Sequence, residues 1–358
     1  MKATIAVIGG DGIGPEIVDA AQQVMEAVAD KLAITLVFQA CLAGGAALDA
    51  CGVPLPQETV ESCRQADAVL LGAVGDPKWD AVEPARRPEK AILGLRQALG
   101  LFINLRPIKV FPALVGRSPL KEAVVSGTDL LIVRELNGGI YYGERQEADP
   151  ADDQASAYDI ERYSAPEIKR IVEFAFKAAQ GRRGKLTSVD KANVLATSRL
   201  WRGIVNRLAG DYADVEVDHL YVDNGAMQLV LQPSRFDVVV TSNLFGDILS
   251  DEAAVTTGSI GLLPSASLGD GTGLYEPIHG SAPDIAGQGK ANPIGTILSA
   301  AMLFRYSLKR EDAAQLIEAA VERVLAQGYR TGDIAESGET AISTKKMGEL
   351  VIGAIKEG

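Results

Sequence analysis

MKATIAVIGGDGIGPE, residues 1–16, is the stretch that decides the fold. Thr4–Ile8 is a short apolar run rich in β-branched residues, which is typical of a buried strand. A helical pattern begins within a few residues of this run. The turn between the two contains Gly9, Gly10, Gly12 and Gly14. A strand, a glycine turn and a helix in this order predict an α/β fold.

The glycine turn differs from the phosphate-binding loop of a Rossmann fold. Its spacing does not match GxGxxG. The second strand-like run, Ile34–Gln39, ends in glutamine and not in an acidic residue that would bind a ribose. We therefore predict that this turn is not a Rossmann phosphate-binding loop and that the stretch 10–16 has another role.

Strand-like and helical patterns alternate along the rest of the chain. A helix is predicted after Ser164, where Ser164 and Glu167 form a capping-box pattern. A second amphipathic stripe lies near the C-terminus, from Ala314 to Leu325. Further strands are predicted at 68–71, 130–133, 185–189 and 237–241. This alternation favours α/β architecture along the whole chain.

Composition limits the classes of partner. The 358 residues are 47% hydrophobic and carry a net charge of -12, from 35 basic and 47 acidic residues. A surface this acidic disfavours nucleic acid and anionic membranes as partners. No apolar run is long enough for a membrane span, and the N-terminus lacks the features of a signal peptide. Three cysteines without a CxxC pair predict a reducing, cytoplasmic location.

Three arginines lie in apolar surroundings: Arg96, Arg106 and Arg134. Arginine keeps its charge, and its planar guanidinium matches a carboxylate with two hydrogen bonds. Three of them suggest a pocket for a di- or tricarboxylate. Structural ion pairs with the chain's many acidic residues are an equal alternative at this point.

Two carboxylates, Asp247 and Asp251, have i, i+4 spacing and fall on one face of a predicted helix. Asp223 is a third candidate ligand. An all-oxygen set suits Mg²⁺ or Mn²⁺ and not zinc, and the chain has only two histidines. A solvated acidic face is the alternative interpretation.

Lys191 and Tyr141 are candidates for proton transfer. A lysine with a lowered pKa can act as a base, and a tyrosine hydroxyl can donate a proton. Most lysines and tyrosines do neither, so each signal is weak on its own.

The ordered motifs together resemble one enzyme family. They are GDGIGPE, LRQALGLFINLRP, VRELNGGIYYGE, SVDKANVL, YVDNGAMQL, SNLFGDILSDEA, GLLPSASLG and YEPIHGSAPDIAGQGKANP. They extend from one end of the chain to the other and resemble the β-decarboxylating dehydrogenases, which include isocitrate, 3-isopropylmalate, homoisocitrate and tartrate or D-malate dehydrogenases.

The resemblance implies two α/β domains that lack the Rossmann topology, with an active-site cleft between them, in the isopropylmalate/isocitrate dehydrogenase-like fold. Residues 1–101 and 258–358 would form a discontinuous cofactor-binding domain. Residues 102–257 would form a central domain that makes the interface of a homodimer with shared active sites.

The resemblance also implies a role for each candidate residue. Lys191 would be the base and Tyr141 the proton donor. Asp223, Asp247 and Asp251 would bind Mg²⁺ or Mn²⁺, and Lys191, Asp223 and Val194 would reach the site of the partner chain. The implied substrate contacts are Glu89, Ile92, Leu93, Arg96, Arg106, Arg134, Val194 and Asp223.

The implied cofactor is NAD. An aspartate at position 284 can accept hydrogen bonds from both ribose hydroxyls and would repel the 2′-phosphate of NADP. The NADP-using relatives have a Lys–Tyr pair where this chain has Asp284-Ile285. The implied cofactor-binding residues are Ile13, Gly261, Glu276, His279, Gly280, Ser281, Ala282, Pro283, Asp284, Ile285 and Asn292.

The substrate is predicted from the third carbon of the malate core. Ile92, Leu93 and Val194 would form an apolar wall, and burying a three-carbon isopropyl group is worth about 2.4 kcal/mol. An unpaired carboxylate against that wall would cost several kcal/mol. The prediction is therefore 3-isopropylmalate. The alternatives are a homoisocitrate or tartrate/D-malate dehydrogenase and, from another class, a non-catalytic dicarboxylate-binding protein.

Overall fold

The computed structural model describes residues 1–79, 81–83 and 86–358. The chain divides into two units. The first contains residues 1–101, 110–122 and 257–358, and the second contains residues 102–109 and 123–256. One segment differs from the sequence-based division, because residues 110–122 belong to the first unit and not to the central one.

A mostly parallel sheet forms the centre of the first unit. Its strands are β1 (Lys2–Gly10), β2 (Thr35–Cys41), β3 (Ala68–Ala73), β11 (Pro264–Gly269) and β12 (Gly273–Pro277). They run in the order β2-β1-β3-β12-β11. β11 is antiparallel to β12, and the other neighbouring pairs are parallel. This order differs from the all-parallel Rossmann sheet, so the prediction of a non-Rossmann α/β fold is confirmed.

Helices cover this sheet. They are α1 (Gly14–Lys31), α2 (Gly45–Cys51), α3 (Gln57–Gln65), α4 (Lys90–Ala98), α10 (Ile294–Tyr306), α11 (Glu311–Ala326) and α12 (Thr344–Glu357). Helix α10 is buried on all sides from Ile294 to Phe304, because it packs on the sheet and also contacts α1 and α11. Helix α11 buries the apolar stripe that its sequence predicts. No helix within the described residues is long and apolar enough to cross a membrane.

Five strands form the centre of the second unit. Its strands are β4 (Leu101–Lys109), β5 (Asp129–Glu135), β8 (Lys185–Asp190), β9 (Glu216–Tyr221) and β10 (Val238–Thr241), in the order β4-β5-β10-β8-β9. β4 and β5 are antiparallel and the others parallel. The helices are α5 (Glu122–Val125), α6 (Ala165–Gln180), α7 (Ala196–Ala209), α8 (Val222–Leu231) and α9 (Asn243–Ala254). A small hairpin pairs β6 (Arg145–Gln146) with β7 (Tyr158–Asp159).

The predicted start of α6 is confirmed in detail. The Glu167 carboxylate accepts a hydrogen bond from the Ser164 N–H at 2.7 Å, and the Ser164 hydroxyl accepts one from the Glu167 N–H at 3.5 Å. The two bonds satisfy N–H groups that the first helical turn leaves without partners.

The glycine turn after β1 joins three backbone segments. The N–H of Asp11 donates to the Ala73 carbonyl at 2.7 Å, and the N–H of Ile13 donates to the Ser281 carbonyl at 2.8 Å. Gly10 and Gly12 both have positive φ, and a Cβ on either would meet these carbonyls at 1.9 and 2.0 Å. Glycine is therefore required at both positions by close backbone contact.

The carboxylate of Asp11 is the acceptor that holds this turn to its neighbours. It is buried and accepts hydrogen bonds from the N–H groups of Gly45, Ala46 and Gly75, each at 2.8 Å. Gly45 and Ala46 open helix α2, so the negative charge also complements the helix dipole. This is the role of the stretch 10–16 that the sequence left open.

We expect Asp11→Asn to destabilise the chain by roughly 1–3 kcal/mol, because the amide would turn an NH₂ group toward a backbone N–H. The measurement is the concentration of guanidinium chloride at the midpoint of unfolding. Asp30→Asn, an exposed change on α1, is the matched control and should leave the midpoint unchanged. Equal midpoints for the two variants would contradict the role given to Asp11.

Candidate functional site

Arg134 lies near the end of β5, directly after the buried residues Leu130–Val133. Its guanidinium is buried and donates to two residues of helix α9. The Asn243 side-chain oxygen accepts from Nε at 3.0 Å and from Nη2 at 2.8 Å, and the Asp247 carboxylate accepts from Nη1. The arginine is therefore fixed against the helix that carries both predicted acidic ligands.

Asp247 and Asp251 lie one turn apart on α9, as their spacing predicts. Burial raises the pKa of Asp251 and the charge of Asp247 raises it further, whereas Arg106 and Arg134 oppose the shift. Two carboxylates at this spacing disfavour each other's charge, and a bound cation would relieve that cost.

Tyr141 contacts the same cluster. It lies in a short 3₁₀ turn, Gly139–Tyr141, and its hydroxyl donates to Asp247 Oδ2 at 2.8 Å. Partial burial is the main cause that raises the pKa of Tyr141 to about 12, and the hydrogen bond to Asp247 adds to it. The phenol therefore keeps its proton at neutral pH, as a proton donor must.

Arg106 completes the cluster from strand β4. Its side chain is buried, and Nε donates to the Asn104 side-chain oxygen at 2.6 Å. Its charge lowers the pKa of Asp251, which indicates that the two groups are close. The second unit thus brings together two of the three predicted arginines, the tyrosine and two aspartates.

Lys191 and Asp223 form a separate pair in the same unit. Lys191 Nζ donates to Asp223 Oδ1 at 2.6 Å, and this bond lowers the pKa of Asp223. Lys191 follows β8, and its N–H donates to the Ser198 hydroxyl at 3.0 Å. The described part of the chain has no group of three or more His, Cys, Asp or Glu side chains that could hold a metal ion. Asp223 therefore does not join Asp247 and Asp251 within one chain.

Arg96 lies in the first unit, on helix α4. Its guanidinium donates to Glu276 Oε1 at 2.9 Å, and both side chains are largely buried. Glu276 is among the predicted cofactor-binding residues. The structure therefore links a predicted substrate residue to a predicted cofactor residue.

The predicted apolar wall is accessible to solvent. Ala91 and Leu95 bury one face of α4, while Ile92 is half-buried and Leu93 is 41% exposed. Val194, in the segment after Lys191, is 61% exposed. Glu89 precedes α4, with its carboxylate beside Gly75.

The predicted cofactor segment, residues 279–292, packs on the start of α1. Ile13, Ile17 and Ala291 form a small buried cluster that Ala282 and Ile285 cover. The turn between Ser281 and Pro283 needs positive φ at Ala282, an uncommon conformation for alanine. Gly280, Pro283 and Asp284 are exposed.

Two side chains in this region bear on ligand binding. His279 Nε2 is buried without a hydrogen-bond partner, and burial lowers the pKa of His279. Asn292 accepts from the Ile294 N–H and donates to Asp333 Oδ2, each at 3.0 Å. A Cβ on Gly261 would lie 2.9 Å from both Asn292 and Asp333, so the backbone approaches this pair closely.

Comparison with known proteins shows the family of the chain. The family model for isocitrate/isopropylmalate dehydrogenase matches residues 4–351. The chain belongs to this family. The 3-isopropylmalate dehydrogenase of Moorella thermoacetica is 59% identical over 355 residues, which cover 99% of each chain. That of Clostridium acetobutylicum is 58% identical, covering 98% of this chain and 99% of its own.

Solved structures of the isocitrate/isopropylmalate dehydrogenase family have the same fold. An isocitrate dehydrogenase from Methylococcus capsulatus superposes with a TM-score of 0.86 at 37% identity and covers 99% of both chains. A β-decarboxylating dehydrogenase from Thermococcus kodakarensis gives 0.82 at 38% identity, covering 99% of this chain and 96% of its own. The predicted fold class and the enzyme class, a β-decarboxylating dehydrogenase, are confirmed.

The sequence analysis missed several residues that contact or adjoin the candidate site residues in the structure. Asn243 and Glu135 are fully buried beside Arg134, and Asp333 accepts from Asn292 and from the hydroxyl groups of Ser259 and Thr331. The signal for Glu135 was available, because a carboxylate two residues after the apolar run LLIV must find partners when it is buried. Asn243 and Asp333 carried no such local signal.

Proposed function

We propose that the chain is an NAD-dependent 3-isopropylmalate dehydrogenase of leucine biosynthesis. It would oxidise and decarboxylate (2R,3S)-3-isopropylmalate to 4-methyl-2-oxopentanoate and CO₂. The observation that carries the proposal is the cluster of Arg106, Arg134, Tyr141, Asp247 and Asp251, which combines carboxylate binders, a protonated phenol and a cation-binding pair. The names of the relatives at 58–59% identity support the same substrate.

The arginines supply the positive charge that an anionic substrate needs on a protein of net charge -12. Arg106 and Arg134 are held by side-chain partners, so their guanidinium planes are preorganised. In our proposal they bind the substrate carboxylates together with Arg96. Exchange of a fixed protein partner for a substrate carboxylate keeps each guanidinium hydrogen-bonded.

The apolar wall favours an isopropyl substituent. Leu93 and Val194 leave much of their apolar surface exposed in the single chain. A branched hydrocarbon would cover that surface, whereas the extra carboxylate of isocitrate or homoisocitrate would lie against these apolar side chains, with Lys90 on the same helix as the candidate partner for a longer polar substituent. Malate and tartrate would leave the wall uncovered.

The acidic residues fit a hard divalent cation. Asp247 and Asp251 offer oxygen ligands from one helix face; burial raises the pKa of Asp251, and the charge of Asp247 raises it further. Asp223 would be the third ligand, supplied by the partner chain. Mg²⁺ or Mn²⁺ held there would act as a Lewis acid toward the oxygen on C2 of the substrate.

Proton transfer is assigned to two side chains. Lys191, as the neutral amine, would take the proton of the 2-hydroxyl, and Asp223, 2.6 Å from Lys191 Nζ, would orient it. Tyr141 would donate its proton to C3 after CO₂ has left, and its raised pKa keeps that proton available. The nicotinamide of NAD⁺ would accept the hydride from C2.

A homodimer is proposed because one chain leaves this machinery incomplete. Helices α8 and α9 pack together and expose Met227, Val230, Leu231 and Ile248. Apolar side chains clustered on adjacent helices are typical of a subunit interface. Asp223 opens α8, so an interface on this face would carry Asp223 and Lys191 toward the partner's site.

Two features support NAD, and a third supports a cytoplasmic setting. Asp284 lies in an exposed turn next to the cluster around Ile13, where a ribose would find a carboxylate acceptor. The buried, unpartnered His279 Nε2 fits a ligand that completes its hydrogen bonding. All three cysteines are free thiols, which suits a reducing compartment.

The first prediction tests the substrate. 3-Isopropylmalate should give the highest kcat/KM in a panel with isocitrate, homoisocitrate, D-malate and tartrate, assayed as NADH absorbance with Mg²⁺. Chelator should abolish the activity and Mg²⁺ or Mn²⁺ should restore it. Leu93→Ser should lower the preference for 3-isopropylmalate over malate about three- to tenfold, because one apolar contact is lost.

Leu42→Ser is the control for this panel, since Leu42 is also exposed but lies outside the proposed wall. A higher kcat/KM with isocitrate or D-malate would overturn the proposed substrate. An unchanged preference in Leu93→Ser would remove α4 from the pocket.

The second prediction concerns the cofactor. The 2′-phosphate of NADP at ~4 Å from Asp284 would be repelled by about 4 kcal/mol per charge pair before screening. NAD should therefore be preferred by at least roughly tenfold to a hundredfold. Asp284→Lys/Ile285→Tyr should shift kcat/KM toward NADP. If the wild type uses both cofactors equally, or the double variant shows no shift, this turn does not contact the ribose.

The third prediction concerns the dimer. Met227 is 55% exposed on α8, and Met227→Glu should yield monomers with little activity because a charge would be buried in the interface. Molar mass by light scattering and kcat are the two measurements. Val37→Glu, an exposed change on β2, should remain a fully active dimer. An active Met227→Glu monomer would show that the site is complete within one chain.

A further inference from the structure

Arg134 lies directly against helix α9 at Gly246. A Cβ on this glycine would come within 2.6 Å of Arg134 Cγ, 2.7 Å of Cβ and 3.2 Å of Cδ. Real Cβ atoms do not make such contacts, and the atoms concerned belong to the stem of the side chain and not to its flexible end. Because Gly246 has no side chain, Arg134 can pack against the helix at this position.

Asn243 lies one turn earlier on the same helix. It joins Arg134 to the Tyr141 turn, which is defined here as the backbone segment 136–141. Its side-chain oxygen accepts two hydrogen bonds from the guanidinium. Its side-chain nitrogen donates to the carbonyls of Leu136 at 3.2 Å and Gly138 at 3.0 Å. Arginine can only donate and a carbonyl can only accept, so the chemistry of the partners fixes the orientation of the amide.

The same turn is held from the other side by Glu135. This buried carboxylate accepts from the N–H groups of Asn137 at 3.0 Å and Gly138 at 2.8 Å. The Tyr163 hydroxyl donates to Glu135 at 3.3 Å and accepts from the Asn243 N–H at 2.9 Å. Donors and acceptors of the turn are thus both bound to fully buried side chains, Glu135 and Asn243.

We propose that Asn243 and Gly246 are positioning residues. Gly246 sets the distance of the Arg134 guanidinium from α9, and Asn243 couples that guanidinium to the Tyr141 turn. One helix thereby fixes the relative positions of a carboxylate binder, a proton donor and both acidic ligands. This inference rests on the proposed function, since it assigns the two residues to the binding and protonation steps of that reaction.

Gly246→Ala tests the contact with Arg134. The new methyl group would displace the guanidinium, so KM for 3-isopropylmalate should rise roughly ten- to a hundredfold, while KM for NAD stays within about twofold. Gly203→Ala is the matched control, because Gly203 also lies inside a helix, α7, and a Cβ there meets no atom within 4 Å. Both variants gain helix propensity, so unfolding temperature alone does not account for a difference between them.

Asn243→Asp tests the coupling to Tyr141. The isosteric carboxylate can still accept from Arg134 but would face the carbonyls of Leu136 and Gly138, so the turn should be released. We expect a single-turnover burst of NADH close to that of the wild type and a steady-state rate lower by roughly tenfold or more. Asp237→Asn is the control, since Asp237 is equally buried and accepts from Arg182 and Arg183 just before β10.

Wild-type turnover tests the proposed function, whereas the ratio of variant to wild type tests the positioning roles. A Gly246→Ala enzyme with the KM values of Gly203→Ala would overturn the role of Gly246. An Asn243→Asp enzyme whose burst and steady-state rates fall together, as in Asp237→Asn, would reduce Asn243 to a structural residue. A selective rise in substrate KM in the first variant, with a slowed step after hydride transfer in the second, would establish both.

Discussion

The hydrogen bonds between Arg134 and helix α9 are the interaction on which the candidate site depends. A buried guanidinium must have its donors satisfied, and Asn243 and Asp247 satisfy them from two successive turns of one helix. The same helix carries Asp251, and Asp247 also accepts from Tyr141. Because one rigid element holds all these groups, their geometry is fixed more tightly than separate loops would allow.

A comparable arrangement organises the first unit. There a buried carboxylate, Asp11, accepts three backbone N–H groups and holds the turn after β1 to α2 and to the segment after β3. The adjoining Ile13 N–H extends this link to Ser281, at the start of the proposed cofactor turn. In both units a side chain with several acceptors or donors fixes loops that have no regular hydrogen bonding of their own.

Charge explains why such fixed groups are needed. The chain is strongly acidic overall, yet the proposed reaction starts from a dianion, so the local positive field must come from a few arginines. Arg96, Arg106 and Arg134 each have a protein partner, namely Glu276, Asn104 and the α9 residues. Partners of this kind keep the guanidinium groups in place without a ligand, which lowers the cost of ordering them when one binds.

The sequence by itself determined the features that depend on neighbours along the chain. The strand of Thr4–Ile8, the capping box at Ser164 and the i, i+4 pair of Asp247 and Asp251 are local, and family motifs along the chain identified the fold. Only the tertiary structure decided that Asp11 binds three distant N–H groups, that Arg96 pairs with Glu276, and that Asn243 lies between Arg134 and the Tyr141 turn. These partners are separated by up to 180 residues. The periodicity of the sequence carries no information about such long-range contacts, because burial and hydrogen-bond satisfaction in the folded chain select the partners.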